Sequence, residues 1–302
     1  MAENKIQGER QNLKGYSFWK EAFKRLKKNR PAMIGLFMII IFSIIAVSAP
    51  LLSPADPIKQ DLDNRLRPAG APSRISRNGV YLLGSDEFGR DIFSRVLYGA
   101  RISMSVGIIS QILVTLIGVS MGSLAGYYGG KIDMVIMRLA DILFAFPSLL
   151  FYIGVMFALG PSIYNIFIAL ALIGWAGMAR LVRSQVISIK EMEFIEAARA
   201  QGLSDTRIIL KHILPNCIGP IIVSVTLGIP TAILAEASLS FLGLGVQPPT
   251  PSWGNMIYAA RAYIRSKPMY SVWPGIAIMV MVFSFNLLGD GLRDALDPKL
   301  KR

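Results

Sequence analysis

Long stretches almost free of charge alternate with polar segments along this chain. Their apolar residues are continuous and lack the spacing of an amphipathic helix, which is typical of helices that cross a bilayer. These stretches cover residues 31–55, 102–130, 142–179, 213–240 and 270–289. The 38 residues of the third would extend about 57 Å as a helix, which is too long for one crossing. Gly160-Pro161-Ser162 therefore divides it, and the pattern predicts six spanning helices.

The segment before the first span combines aromatic and basic side chains. Between Ser17 and Asn29, Trp19, Phe23 and Leu26 share one helical face and the lysines lie elsewhere. This arrangement predicts a short helix in the headgroup region of the membrane. A secretory signal peptide has a shorter apolar core nearer the start of the chain. We therefore interpret 31–55 as a retained membrane anchor.

A polar segment, 56–101, separates the first two spans. Its last part, 83–101, is predicted to be a helix capped by Ser85 or Asp86. Two acid–base pairs four residues apart would support this helix: Asp86 with Arg90 and Asp91 with Arg95. It is either a docking element or a surface helix that leads into the second span.

Glycine and proline positions predict where the spans pack and end. Three glycines four residues apart predict that a neighbouring helix approaches the second span closely: Gly118, Gly122 and Gly126. Residues 131–138 are predicted to form a short polar turn, and Pro230 to interrupt the fifth span. Gly289-Asp290-Gly291 has the pattern of a helix end.

The polar segment 182–216, between the fourth and fifth spans, has its own helical signals. Residues 193–201 predict a short helix, and Gly202 suits a left-handed turn at its end. Ser204-Asp205 predicts the start of a second helix that reaches His212. Pro215 then marks a bend into the fifth span. A force on the first helix would therefore reach a spanning helix over a short path.

Composition and charge fit a polytopic membrane protein. Of the 302 residues, 53% are hydrophobic and 17% are charged. The 32 Lys and Arg residues outnumber the 19 acids, but no separate basic domain exists to bind nucleic acid. With six spans, 21 of these basic residues lie on the side of the two termini. The positive-inside rule then predicts that both termini and the 182–216 loop are cytoplasmic.

Catalytic motifs are absent from the sequence. Its single histidine is His212, and its single cysteine, Cys217, excludes an intrachain disulfide. No zinc-protease, nucleophile-elbow or phosphate-loop pattern occurs. The chain is therefore predicted to be no enzyme, and to bind no metal or cofactor itself.

One acid, Glu236, lies within a predicted span, toward its external end. Intramembrane carboxylates are rare, because a charge in the bilayer is expensive, and they often mark transport pathways. Glu236 either contacts substrate in a pathway or has a structural role, capping the next turn or pairing with a basic residue. A single such group is no evident energy source for ion-coupled transport.

The 182–216 loop resembles the EAA loop of permease subunits from binding-protein-dependent ABC importers. The matching residues are Glu196-Ala197-Ala198, Gly202 and Leu214-Pro215, with His212-Ile213 as in the peptide and nickel branch. Further matches are similar to the C-type subunit of the dipeptide/oligopeptide/nickel family: Leu83 to Asp91, Tyr98 to Arg101, Glu236 to Gly243, Pro248 to Gly254, and Gly289 to Asp294. They cover nearly the whole chain beyond its first 15 residues.

This resemblance implies an all-α integral membrane protein with six transmembrane helices and the type I importer permease fold. It implies a heterodimer with a B-type permease, two cytoplasmic ATPases that bind ATP and Mg²⁺, and an external substrate-binding protein. By analogy, Glu193 to Gly202 forms a coupling helix seated in an ATPase groove. Glu196 would contact that groove or fix the geometry of the loop. The implied location is the cytoplasmic membrane of a bacterium or archaeon.

The sequence therefore predicts a permease that imports short peptides, with four regions. They are a cytoplasmic tail with an interfacial helix (1–30), an anchor and external loop (31–101), a permease core (102–292) and a cytoplasmic tail (293–302). Import of nickel or another metal chelate, or of an oligosaccharide, stays open, and so does a membrane scaffold without transport, which the EAA loop disfavours.

Overall fold

The computed structural model describes residues 18–297, which fold into helices without a β-sheet. The first helix, α1 (Phe18–Lys28), confirms the predicted amphipathic helix, except for Ser17, which lies outside the described residues. In chain order the helices are α1 (Phe18–Lys28), α2 (Arg30–Leu52), α3 (Ile92–Tyr128), α4 (Gly130–Phe144), α5 (Ser148–Leu159), α6 (Ile163–Lys190), α7 (Glu193–Ala200), α8 (Asp205–Ile208), α9 (Leu214–Phe241), α10 (Trp253–Ala260) and α11 (Met269–Leu296).

Five helical segments among the described residues are long and apolar enough to span a bilayer: α2, α3, α6, the continuous helix Asp205–Phe241, and α11. A sixth span results if α4 and α5 are counted together, although they are bent by 91° at their junction. Pro147 stands directly before α5 and has no N–H to continue a helix. The predicted polar turn at 131–138 is wrong, because these residues lie within α4.

Helices α3 and α6 pack at close range along the predicted glycine stripe. A Cβ on Gly122 would lie 2.5 Å from the carbonyl oxygen of Ala179 and 2.8 Å from Cβ of Val182. Gly118 and Gly126 meet α6 one turn away on either side in the same way. The absence of side chains therefore sets the distance between the two helices, as the sequence predicted.

Two other predicted boundaries are wrong because a helix continues through them. Pro230 lies inside α9, and the Gly289-Asp290-Gly291 triplet lies inside α11, which ends at Leu296. A Cβ on Gly289 would lie 2.4 Å from Cδ2 of Leu227 in α9, so this glycine serves packing between helices. The proline-rich segment before α10 is free of helix.

The helix predicted at 83–101 begins later than expected. It starts at Ile92, where the Asp91 carboxylate accepts a hydrogen bond of 2.7 Å from the backbone N–H of Ser94, and it continues into α3. Residues 83–91 form turns instead, in which Oδ1 of Asp86 accepts hydrogen bonds from the backbone N–H groups of Phe88 and Arg90. Oδ2 of Asp86 lies 2.6 Å from Nε of Arg90 and 3.4 Å from Nε of Arg95.

These contacts connect the segment between α2 and α3 to helices α3 and α11. Glu87 binds Arg90 at 3.1 Å and accepts a hydrogen bond from the hydroxyl of Tyr270 in α11. Arg95 also donates a 2.9 Å hydrogen bond to the carbonyl of Pro57. The predicted pair of Asp86 with Arg90 is confirmed, whereas Arg95 also binds Asp86 and not Asp91, so a buried cluster is centred on Asp86.

Candidate functional site

Helix α7, the short helix of the EAA-like segment, divides into a buried and an exposed face. Ile195 and Ala198 are buried in a cluster with residues from α6, α8 and α9. Glu193, Glu196 and Ala197 are exposed. An eight-residue helix is marginal alone, so the buried pair holds it in place. Two acids in its first turn suit the positive end of the helix dipole and leave their carboxylates accessible.

Gly202 ends this helix in the left-handed conformation that the sequence predicts, with φ of +75°. Its N–H donates to the carbonyl of Arg199 at 2.9 Å, and the N–H of Leu203 donates to the carbonyl of Ala198 at 3.3 Å. A Cβ on Gly202 would meet no atom within 4 Å. Glycine is therefore required here by the backbone conformation and not by crowding.

The joint between α8 and α9 differs from the prediction. The chain runs as one helix from Asp205 to Phe241, with a π-helical turn at Ile209–Ile213, and the helix continues through Pro215. The N–H of Leu214 donates to the carbonyl of Ile209, five residues back. Pro215, in the first turn of α9, lacks an N–H, and the wider turn comes directly before it. Helix α8 is therefore continuous with the fifth span.

A contact that the sequence did not predict fastens this segment to α3. The hydroxyl of Tyr127 donates a 2.6 Å hydrogen bond to Oδ1 of Asp205. The guanidinium of Arg199 lies 5.4 Å from the centre of the Tyr127 ring, within cation–π range. The three residues join the ends of α7 and α8 to a spanning helix that is far away in sequence.

Replacing Tyr127 with Phe is expected to loosen the turn between α7 and α8 while the spans stay folded. A hydrogen bond to a charged group contributes about 1.5–3 kcal/mol, so local opening should become at least about tenfold more frequent. Amide hydrogen exchange of residues 200–206 measures this. Tyr128→Phe is the matched control, because that neighbouring side chain is exposed. Equal exchange in both variants would refute the anchoring role.

Glu236 is fully buried in α9 and is bound by hydroxyl groups. It accepts hydrogen bonds from Ser240 at 2.7 Å and from Ser103 of α3 at 3.3 Å, and the Ser103 oxygen accepts from the N–H of Trp253 at 3.3 Å. In the described part of the chain it forms no ion pair with a basic residue. The carboxylate thus connects α3, α9 and α10. Its role, in a pathway or in structure, stays a prediction.

Two cavities lie between the helices. A vestibule of about 1220 Å³ opens at the end of the bundle that carries α7, between α6, α9, α11 and α1. A smaller cavity of about 220 Å³ lies deeper, between α3, α5, α6 and α9. Ser224 and Gly228 of α9 line both cavities. The described residues contain no cluster of His, Cys, Asp and Glu that could hold a metal ion.

Two family descriptions match the chain. Residues 118–302 match "Binding-protein-dependent transport system inner membrane component", and residues 17–69 match "N-terminal TM domain of oligopeptide transport permease C". Together they include the EAA-like segment, the lining of the vestibule and the first span, but not residues 70–117, which contain Ser110, Gln111 and Val114 of the smaller cavity. The coupling roles predicted for single residues of that segment are not tested by these matches.

Several relatives are similar over nearly their whole length. The dipeptide transport system permease protein DppC of Alkalihalophilus pseudofirmus is 50% identical over 283 residues, 94% of this chain and 90% of the relative. The oligopeptide permease protein OppC of Bacillus subtilis is 42% identical over 301 residues, 100% and 96%. The glutathione permease protein GsiD of Escherichia coli is 45% identical over 287 residues, 94% and 91%.

A solved structure shares the fold. One chain of the MetNI methionine ABC transporter, in an inward-facing conformation, superposes with a TM-score of 0.58 at 17% identity, covering 68% of this chain and 98% of that one. This likeness confirms the predicted type I importer permease fold and carries no information about substrate. By fold, family match and full-length relatives, the chain belongs to the family of binding-protein-dependent transport system inner membrane components, and within it to the DppC/OppC permeases.

Proposed function

We propose that this chain is the C-type permease subunit of an ATP-driven importer of short peptides. The observation that carries the proposal is α7: a short helix whose buried face is fixed to the spans and whose opposite face presents Glu193, Glu196 and Ala197. An exposed face on an anchored helix suits contact with a partner subunit that displaces the helix. The relatives named above transport dipeptides, oligopeptides and glutathione, which supports a short peptide as the cargo.

The family of the chain and the exposed face of α7 indicate which partners it would have. A B-type permease would complete the pathway, two ATPases with bound ATP and Mg²⁺ would supply the energy, and an external binding protein would deliver the cargo. Both termini and α7 would lie in the cytoplasm of a bacterial or archaeal cell, in keeping with the excess of basic residues on that side. The ATPases would engage α7 through Glu193 to Gly202.

The structure suggests how the force would travel. Closure of the ATPases would displace α7, and the buried contacts of Ile195 and Ala198 would transmit this to α6 and α9. The continuous helix from Asp205 to Phe241 passes both cavities, so its movement would open or close the vestibule. Shifting such an equilibrium from 1:99 to 99:1 requires about 5.5 kcal/mol of differential binding, which nucleotide binding would provide.

Uptake by the reconstituted complex tests this function. Proteoliposomes that contain this chain with its B-type permease and ATPases, and the binding protein outside, should accumulate a radiolabelled dipeptide only when ATP is inside. Complexes with an ATPase unable to hydrolyse ATP serve as the control. ATP-dependent uptake of nickel, a metal chelate or an oligosaccharide, with none of di-, tri- or pentapeptides, would refute the peptide assignment. Absence of any ATP-dependent uptake would refute the importer assignment.

A further inference from the structure

The deeper cavity lies halfway across the helix bundle. Ser110 stands at the middle of α3, Gly228 at the middle of α9, and Gly174 and Gly177 at the middle of α6, and all four line the cavity. Hydrophobic side chains would fill this level of the bundle if only packing mattered. The lining combines apolar residues such as Val114, Leu170 and Met178 with the polar residues Ser110, Gln111, Tyr152, Ser224 and Thr231. Polar groups at this depth are expensive and usually serve function.

Ser110 is the residue that a purely structural account leaves unexplained. Its side chain is 1% exposed, and its hydroxyl has no hydrogen-bond partner in the structure. Three other hydroxyls in the same helix donate to the carbonyl four residues back: those of Thr115, Ser120 and Ser123. An unpaired buried hydroxyl is destabilising, and the cavity is the side from which a hydrogen-bond partner would reach it.

Gln111 and Gly228 shape the wall beside Ser110. A Cβ on Gly228 would lie 2.3 Å from Oε1 and 2.8 Å from Nε2 of Gln111. The amide therefore lies flat against α9, in the space that any larger residue at 228 would occupy. A substituent there would push the amide, the far end of a flexible side chain, toward the cavity. Because residue 228 is glycine, the Gln111 amide keeps this position and the cavity stays open.

The size and charge of the cavity restrict what it can receive. Among the described residues that line it, none carries a charge. Its volume of about 220 Å³ is below the ~300–1,000 Å³ of pockets that enclose a whole ligand. It suits one short segment of a longer molecule, and its wall at Ser224 and Gly228 is shared with the vestibule. Amide and hydroxyl groups of this kind match the N–H and C=O groups of a peptide backbone and do not discriminate by side-chain charge.

We propose that Ser110 and Gln111 form a neutral contact point for the backbone of a peptide in transit, with Gly228 as the residue that positions the Gln111 amide. This inference rests on the proposed peptide-import function and assigns its pathway. A contact made by a few neutral hydrogen bonds is weak enough to release the cargo, as conduction through a pathway requires. The absence of charge allows peptides of different sequence to pass.

Kinetics of dipeptide uptake test the contact. Ser110→Ala and Gly228→Ala should each lower uptake efficiency about 5- to 30-fold, the effect of one or two hydrogen bonds. Neither should alter ATPase copurification or nucleotide hydrolysis without cargo, and Ser110→Ala should leave the melting temperature equal or higher, because it removes an unpaired hydroxyl. Gly154→Ala is the matched control, since a Cβ there would meet nothing within 4 Å. Wild-type uptake in both cavity variants would overturn the proposal.

A labelling experiment separates contact with cargo from an effect on packing. Cys217 is the only cysteine, so a Ser110→Cys change in a Cys217→Ala background introduces a single thiol. A small water-soluble thiol reagent should modify it during turnover, and excess dipeptide should slow the modification at least about fivefold. A thiol that does not react during turnover, or that reacts equally fast with and without dipeptide, would overturn the proposal. Absence of peptide uptake by the wild-type complex would refute the proposed function itself, which the wild-type assay detects separately.

Discussion

Replacing Glu196 with Lys should lower uptake about a hundredfold or more while the subunit stays inserted and folded. The side chain is exposed on α7 and forms no ion pair among the described residues, so its reversal leaves the buried face of that helix intact. In the proposed complex it would lie in the groove of an ATPase. A reversed charge in such an interface costs several kcal/mol, which corresponds to this loss.

Copurification of the ATPases with the tagged permease, together with uptake in proteoliposomes, measures the effect. Glu191→Lys is the matched control, because Glu191 is also exposed, lies just before α7 and undergoes the same change in charge. Only the Glu196 variant should lose the ATPases or uncouple their hydrolysis from transport. If ATPase association and uptake were unchanged by Glu196→Lys, the assignment of α7 as the coupling helix would be wrong.

Local signals in the sequence were enough to predict much of this fold. The apolar stretches specified the spans, and Gly202 specified the turn after α7, because each depends on residues close together in the chain. The face of α7 that packs inward was also implicit in the spacing of Ile195 and Ala198, three residues apart. Membrane helices are unusually predictable in this way, since the bilayer leaves a backbone few alternatives.

Long-range contacts account for the errors. The spacing of Asp86, Arg90, Asp91 and Arg95 suggested a helix, but the pairing of Asp86 with Arg95 and of Glu87 with Tyr270 turned the segment into a folded connection. Likewise, nothing near Tyr127 in sequence indicates Asp205 as its partner. Helix α4 was missed because three charged residues near its start resembled a turn, although Asp133 pairs with Arg183 of α6 at 2.5 Å.

In the candidate site, too, some residues were predictable from local sequence signals and others depend on contacts between distant parts of the chain. Residues that present a surface, such as Glu193 and Glu196, follow from a motif within ten positions. The cavity does not, because Ser110, Gln111 and Gly228 come from two helices more than a hundred residues apart. A serine and a glutamine side by side in an apolar stretch were the available signal. Without the packing of Gly228 on Gln111, that signal did not distinguish a pathway from a helix contact.

Replacing Gly122 with Val should prevent stable packing of α3 on α6. A Cβ at this position would lie 2.5 Å from the Ala179 carbonyl oxygen, which belongs to the backbone and cannot rotate away. The helices would have to separate along their whole contact, which would also loosen the neighbouring contacts of Gly118 and Gly126. Overpacking of this kind costs about 1–3 kcal/mol or more.

The melting temperature of the purified subunit in detergent, followed by size-exclusion chromatography after heating, measures this destabilisation. Gly154→Val on α5 is the control, because it introduces the same side chain into a helix at a position with nothing within 4 Å. The Gly122 variant should be lost at a temperature where wild type and control remain monodisperse. A melting temperature within about 1 °C of wild type would contradict the inferred packing, since a loss of 1 kcal/mol corresponds to a shift of about 1.5 °C in a chain of this length. The distance between α3 and α6 would then be set by other residues, and the glycine stripe would require a different explanation.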